Sequence, residues 1–338
     1  MTPETQIPML NEAWEAAKDY WDLSGRSALH YAAMGGSLKT AKALIRKNFA
    51  LPEIQNKRGS VPLYLSFSSK QLVWYLILVT RDEHPCFPFT GPLSAQLVCK
   101  LICYGYYDIM LYLVGKYPEL IFAKHEEQHL LGWLSMRYSN FLSGSNHTFW
   151  ERWIYKLLKC LNRLQWKVIE KLAPLIKQVR EEKLKHVYAV ELVNHVCTTL
   201  LSICDTFKDT TYFFNNAESP NSQLMAASLG IDEIITTCVQ YFPDLVFIGM
   251  TEDHHQLNLL QEAIANRQAN IFYFIKEMPT ITQILNFDVN FESETTLHLA
   301  AKLAPSSVQL LSVSGAALQM QRELQWFKAG TRSPQFKI

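Results

Sequence analysis

Apolar positions along this chain fall into short runs at helical spacing, and the runs come in pairs joined by a tight, often glycine-bearing turn. QLMAASLG followed by IDEIITTCVQYFPDL is one such pair, and NLLQEAIANRQANIFYFIKEM is another. Apolar residues three and four apart give each predicted helix one buried stripe. Between 146 and 222 the pairing lapses. FWERWIYKLLKCLNRLQWKVIEKLAPLIKQVREEKLKHVYAVELVNHVCTTLLSICD keeps helical spacing throughout, which predicts two or three longer helices with a kink or break at Pro174. DTFKDTTYFFNNAESPNS then reads as a turn-rich linker. The most apolar runs, QLVWYLILV (71–79) and LVCKLICYGYYDIMLYLV (97–114), predict no membrane span: the first is too short, and the second carries Lys100 and Asp108. The pattern predicts an all-α chain.

The paired runs repeat around a signature. Ser27-Ala28-Leu29-His30-Tyr31-Ala32-Ala33, followed by Gly35-Gly36, carries the T-P-L-H-x-A pattern of an ankyrin repeat with Ser in place of Thr, and Thr295-Thr296-Leu297-His298-Leu299-Ala300-Ala301 carries it again. Ser or Thr caps the first helix through its side-chain oxygen, Leu and the alanines pack between neighbours, and Gly permits the turn into the second helix. Ser60-Val61-Pro62-Leu63-Tyr64 follows 34 residues after the equivalent point, with Tyr64 in the His position, and Gly105-Tyr106-Tyr107-Asp108 lies 69 residues beyond its first counterpart. Further units begin at His129-Leu130-Leu131-Gly132-Trp133, at 223 and at 258, while NEAWEAAKDYW resembles the second helix of a truncated leading unit. The expected architecture is an all-α ankyrin-repeat solenoid in two blocks with an inserted helical connector. Residues 1–145 and 223–311 form the blocks, 146–222 the connector, and 312–338 a junction helix and tail.

Residues 125–129 read HEEQH, the H-E-x-x-H pattern of zinc peptidases. That chemistry needs a helix, on which both His would bind one metal while Glu126 activates its water. Here the pentapeptide falls where a repeat has its finger loop, and no further ligand stands at metallopeptidase spacing. It reads as a polar finger tip, as does Thr251-Glu252-Asp253-His254-His255.

Charge narrows the partners. Lys and Arg total 32 against 31 Asp and Glu, so no overall field draws the chain to nucleic acid, and no nucleic-acid signature is present. Residues 150–185 are locally basic, with ten Lys or Arg against four Glu, interleaved with Trp150, Trp153 and Trp166. Such a helix could contact calmodulin or an anionic membrane surface, although the plainer reading packs the aromatic face on the solenoid. The seven cysteines show no C-x-x-C spacing and read as core residues, and the opening lacks an apolar signal core, so a reducing, cytoplasmic setting is expected. The Asn146-His147-Thr148 sequon is then expected to remain unmodified.

The chain resembles the plant ankyrin-repeat proteins that end in a membrane-embedded PGG domain, the group of accelerated-cell-death and salt-tolerance regulators. The resemblance rests on SGAALQMQRELQWFK (314–328), which is similar to that family's junction between last repeat and membrane region, on the connector around FWERWIYKLL, and on the LHLAAKLAP turn. It implies a signalling or stress role at the plasma membrane. The PGG motif and spans do not follow Lys328, so the sequence reads as a short form or truncated version.

Phosphate-loop, nucleophile-elbow and dinucleotide patterns are missing, and neither cofactor nor metal is expected. His30 and His298 read as internally hydrogen-bonded members of the repeat signature. The expected function is a non-catalytic protein-interaction module. The alternative is the cytosolic portion of a membrane-anchored, channel-like or transport-regulating protein. Candidate contact residues are the finger-tip side chains Asn56, Lys57, Arg58, His125, Glu126, Glu127, Asp253 and His254.

Overall fold

A computed structural model describes residues 22–84, 86–126, 128–143, 174–203, 213–214, 221–247, 257–278, 281, 295–303 and 315–331. The chain divides into two compact units, Met1–Glu126 and Glu127–Ile338.

The first unit is built from helical hairpins. Helices α1 (Ala28–Met34) and α2 (Leu38–Lys47) form one, the 3-10 turn Pro62–Leu65 with α3 (Lys70–Val79) the next, and α4 (Ser94–Cys103) with α5 (Tyr107–Lys116) the third. Pro62 opens the second inner element, a single 3-10 turn whose first position suits proline, and four residues, Ser66 to Ser69, separate it from α3. Each element buries one stripe, such as Leu72, Val73, Leu76 and Ile77 on α3 and Leu97, Val98, Leu101 and Ile102 on α4. An aliphatic side chain taken fully from water contributes about 1.5–3 kcal/mol, so these stripes hold the hairpins together.

The second unit continues the theme with α6 (Leu130–Ser135), α7 (Pro174–Ile203), α8 (Ser222–Leu229), α9 (Asp232–Tyr241), α10 (Leu259–Ala265), α11 (Ala269–Lys276), α12 (Thr296–Ala301) and α13 (Ala316–Thr331). The short inner helices stack in the order α6, α8, α10, α12, with Ser135 Oγ 2.9 Å from the Ser222 carbonyl across the first of these contacts. Helix α7 packs along α9 through Ala189, Leu192, Val193, Val196, Cys197 and Leu200, all fully buried, so this long connector helix lies where the outer partner of α6 belongs. Pro174 is the first described residue of that helix. The basic stretch 150–173, with its three tryptophans, lies outside the described residues.

The turn between inner and outer helix needs one residue in the left-handed region. Gly36, Gly105 and Gly230 supply it at φ of 68°, 70° and 74°. In the sixth unit Arg267 stands there instead, at φ 57°. A side chain in this region costs about 1 kcal/mol or more, and this one is compensated by what the guanidinium does. It is buried and donates to the carbonyls of Ile264 and Lys302, each at 2.6 Å, and to Glu323 of α13 at 2.7 and 3.0 Å. It also lies 5.9 Å from the Trp326 ring, which itself meets Phe272 of α11 edge-on. Arg267 therefore anchors α13 to the last repeats.

Removing one partner of a buried pair is costly, so Arg267→Ala should lose about 3–5 kcal/mol and speed amide exchange throughout 317–328. Arg267→Gly should lose about 1 kcal/mol less, because it relaxes the backbone. Unchanged protection of α13 in Arg267→Ala would refute the anchor.

Candidate functional site

The start of each inner helix exposes backbone N–H groups that must find partners. At α1 the Ser27 N–H donates to His30 Nδ1 at 3.0 Å, and Ser27 Oγ lies 2.9 Å from the same nitrogen. Since Nδ1 accepts, the proton resides on Nε2, which donates to the Ser60 carbonyl at 3.0 Å. One imidazole thus caps its own helix and ties it to the next finger. Tyr64, in the His position of the second unit, repeats the outward bond by donating to the Pro88 carbonyl at 2.8 Å. In the sixth unit Asn258 and Gln261 form the reciprocal cap without any histidine, at 2.9 and 3.0 Å. At α12 Thr295 and His298 restore the original pair, with His298 exposed. The two signature histidines are internally hydrogen-bonded, as the sequence predicted.

The fingers are fixed by twin turns. Asp22 Oδ1 accepts the N–H groups of Ser24 and Arg26 at 2.9 and 2.7 Å; Asn56 Oδ1 accepts those of Arg58 and Ser60 at 2.9 and 3.0 Å. The turns lie side by side, joined by the Lys57 N–H to the Ser24 carbonyl at 3.0 Å. Gly25 sits at φ 72°, in the left-handed region, and a Cβ there would also come within 3.1 Å of that nitrogen. Asn56 is half-buried with its side-chain oxygen engaged in the turn, whereas Lys57 and Arg58 project as exposed side chains from a backbone held at both ends.

The other candidates are placed less fully. His125 and Glu126 follow the 3-10 turn Pro118–Phe122, with Glu126 exposed at φ 49°. Glu127, Asp253 and His254 lie outside the described residues. The described H-E-x-x-H residues, His125, Glu126, Gln128 and His129, are not helical: α6 begins only at Leu130, His129 is its N-cap residue, and the His129 ring sits 4.7 Å from that of Phe213. Among the described residues, no group of three or more His, Cys, Asp or Glu side chains could hold a metal ion. Cys197 and Cys238 are core residues, while Cys86, Cys99 and Cys103 are half-buried.

Sequence reasoning missed three residues that shape this surface. Tyr31 is half-exposed on α1 and donates to Asp22 Oδ2 at 2.6 Å, stiffening the first turn. Asp82 organises the long finger before α4 by accepting from the N–H and hydroxyl of Thr90 and the N–H of Phe89. Lys100 donates to the Tyr64 carbonyl at 2.8 Å beneath a cluster of Phe67, Tyr104 and Tyr106, and burial lowers its pKa. An Asp or Asn followed three residues later by Gly is the signal that would have found the turns.

Two titrations here have opposite signs. Burial holds His30 below its ordinary 6.5, so its contribution to stability is present above that value and is lost as pH falls below it. His30→Ala should cost about 1–3 kcal/mol. His30→Gln, which copies the Asn258–Gln261 cap, should retain more stability and flatten the pH dependence of unfolding between neutrality and pH 5. A steeper dependence in His30→Gln would contradict this. Burial pushes Glu262 up to about 6 from 4.5, while Asn266 Nδ2 at 3.0 Å favours the ionised form. Its contribution is therefore present below 4.5 and lost as pH rises through 6. Glu262→Gln should stabilise the chain by about 1–2 kcal/mol at pH 7.5 and leave it unchanged at pH 4, as read from urea unfolding.

A family search matches the ankyrin repeat to residues 24–57, the segment from the first finger turn to the second. No curated protein matches the chain. The matched repeat and the helical pairs around it make this an all-α ankyrin-repeat fold.

Proposed function

We propose that the chain is a non-catalytic protein-interaction module whose finger tips, with Lys57 and Arg58 foremost, bind a protein partner. The presence of an ankyrin repeat supports protein binding as the function. The observation that carries the finer reading is the pair of locked turns: the backbone of 56–60 is satisfied internally, so the two exposed cations are presented with little ordering left to lose. Such tips fit an acidic or carbonyl-rich patch on a partner. His125 and Glu126 extend the candidate surface, and Asp253 and His254 would belong to a corresponding loop. The similarity of 314–328 to the junction of PGG-type plant proteins supports an adaptor or regulatory role in stress or defence signalling, in the cytoplasm or beside the plasma membrane. It equally supports the second reading, a cytosolic portion of a membrane-anchored, channel-like protein. Among the described residues no helix is long and apolar enough to cross a membrane.

Affinity capture from source tissue, compared between the wild-type chain and Lys57→Ala/Arg58→Ala, tests the site. A partner retained by the wild type should fall by about tenfold or more on the double variant, with thermal unfolding unchanged, since a charged anchor that the partner desolvates costs above about 1 kcal/mol when truncated. Equal retention by both would remove the finger tips from the proposal. The size and membrane association of the endogenous polypeptide separate the adaptor reading from the membrane-anchored one.

A further inference from the structure

The outer helices of the first unit carry an arrangement that the finger tips do not use. Helix α2 presents Lys39, Lys42, Arg46 and Lys47, all exposed, and contains no acidic residue. Residues 39, 42 and 46 recur at i, i+3 and i+7, so three of the four cations share one face. Beside α2 stands α3, contributing Lys70, and α5 contributes Lys116 together with Asp108, which Lys70 neutralises at 2.9 Å. These three helices hold six basic residues against one acidic. The excess is not answered locally: among the described residues none of the four α2 cations has a carboxylate within ion-pair distance.

The same helices expose large apolar side chains. Trp74 on α3 meets Tyr112 on α5 edge-on at 5.2 Å, and the two are 37% and 39% exposed. Leu78, one helical turn beyond Trp74, is 55% exposed, and Phe49, two residues past the end of α2, is 72% exposed. Lys42 Nζ lies 5.3 Å from the Tyr75 ring, so the basic and aromatic rows adjoin. Core positions on these helices are filled by other side chains, while Trp74 and Tyr112 keep more than a third of their surface in solvent and Leu78 and Phe49 more than half.

We propose that the outer-helix face of α2, α3 and α5 docks on an anionic phospholipid surface. Charge complementarity selects the occupant. Flexible lysine stems need no fixed counter-charge and can follow mobile headgroups, while Trp and Tyr suit the boundary between headgroup and acyl chain, and Leu78 and Phe49 reach beyond it. A folded acidic partner would instead need carboxylates in register with four α2 cations that, among the described residues, no carboxylate holds in place. The face uses none of the finger-tip residues, so membrane and protein contacts could be made together.

The test is flotation of the full chain with vesicles of phosphatidylcholine, with or without phosphatidylserine. Partitioning should require phosphatidylserine and decline with added salt. Each basic residue near such a surface is worth about fivefold, so Lys39→Gln/Lys42→Gln/Arg46→Gln/Lys47→Gln should weaken binding by about a hundredfold or more. Trp74→Ala/Leu78→Ala should weaken it while preserving salt dependence. Circular dichroism establishes folding, and Lys42→Gln/Arg46→Gln serves if the quadruple variant unfolds. Binding without dependence on phosphatidylserine, or binding lost only with Lys156→Gln/Lys159→Gln/Arg163→Gln/Lys167→Gln, overturns the proposal. So does retention of poly-glutamate by a chain that ignores the vesicles, which would reassign the face to an acidic protein.

Discussion

Each short inner helix faces the same problem: its first backbone N–H groups have no partner within the helix and must find one elsewhere. The Ser27–His30 pair solves it and adds a bond to the Ser60 carbonyl, making the end of one repeat a condition for the placing of the next finger. Helices of six to ten residues have little stability alone. Their order comes from stacking, and stacking requires the capped ends to meet. The substitutions at this position keep that logic. Tyr64 preserves the bond to the following finger, and Gln261 preserves the cap.

The same dependence explains how the fold absorbs its irregularities. Arg267 occupies a turn that otherwise takes glycine, and its backbone strain is offset by an ion pair and carbonyl bonds that fasten α13. Likewise α6 has a long helix beside the stack where a repeat would supply a short one. The apolar stripe of α7 meets α9 as an outer helix would, so the stack proceeds from α6 to α8 although 86 residues of chain intervene between Ser135 and Ser222. A solenoid reads only the face offered to it, and the origin of that face in the sequence does not matter.

Function follows from what this framework leaves over. The twin turns engage Oδ1 of Asp22 and of Asn56 and leave Lys57 and Arg58 outward; the outer helices bury one stripe each and leave basic and aromatic side chains exposed. Asn56 shows the limit of choosing contact residues by their place in a loop. A short polar side chain beside a glycine is as well suited to building a turn as to meeting a partner. HEEQH shows the converse, a catalytic pattern whose described residues precede the helix, which starts at Leu130.

The sequence alone determined the all-α class, the repeat, its period, and the internal role of His30 and His298. These depend on contacts within about four residues or on one recurring spacing, and both are visible in a linear string. It also located the finger at 56–58. Tertiary structure decided the rest. That α7 would serve as an outer helix, that Arg267 would reach Glu323, that Lys42 would lie over Tyr75 and that Trp74 would meet Tyr112 each depend on residues tens of positions apart meeting in space. Spacing in a sequence says which face of a helix is apolar, and only packing says which neighbour covers it and which faces stay bare.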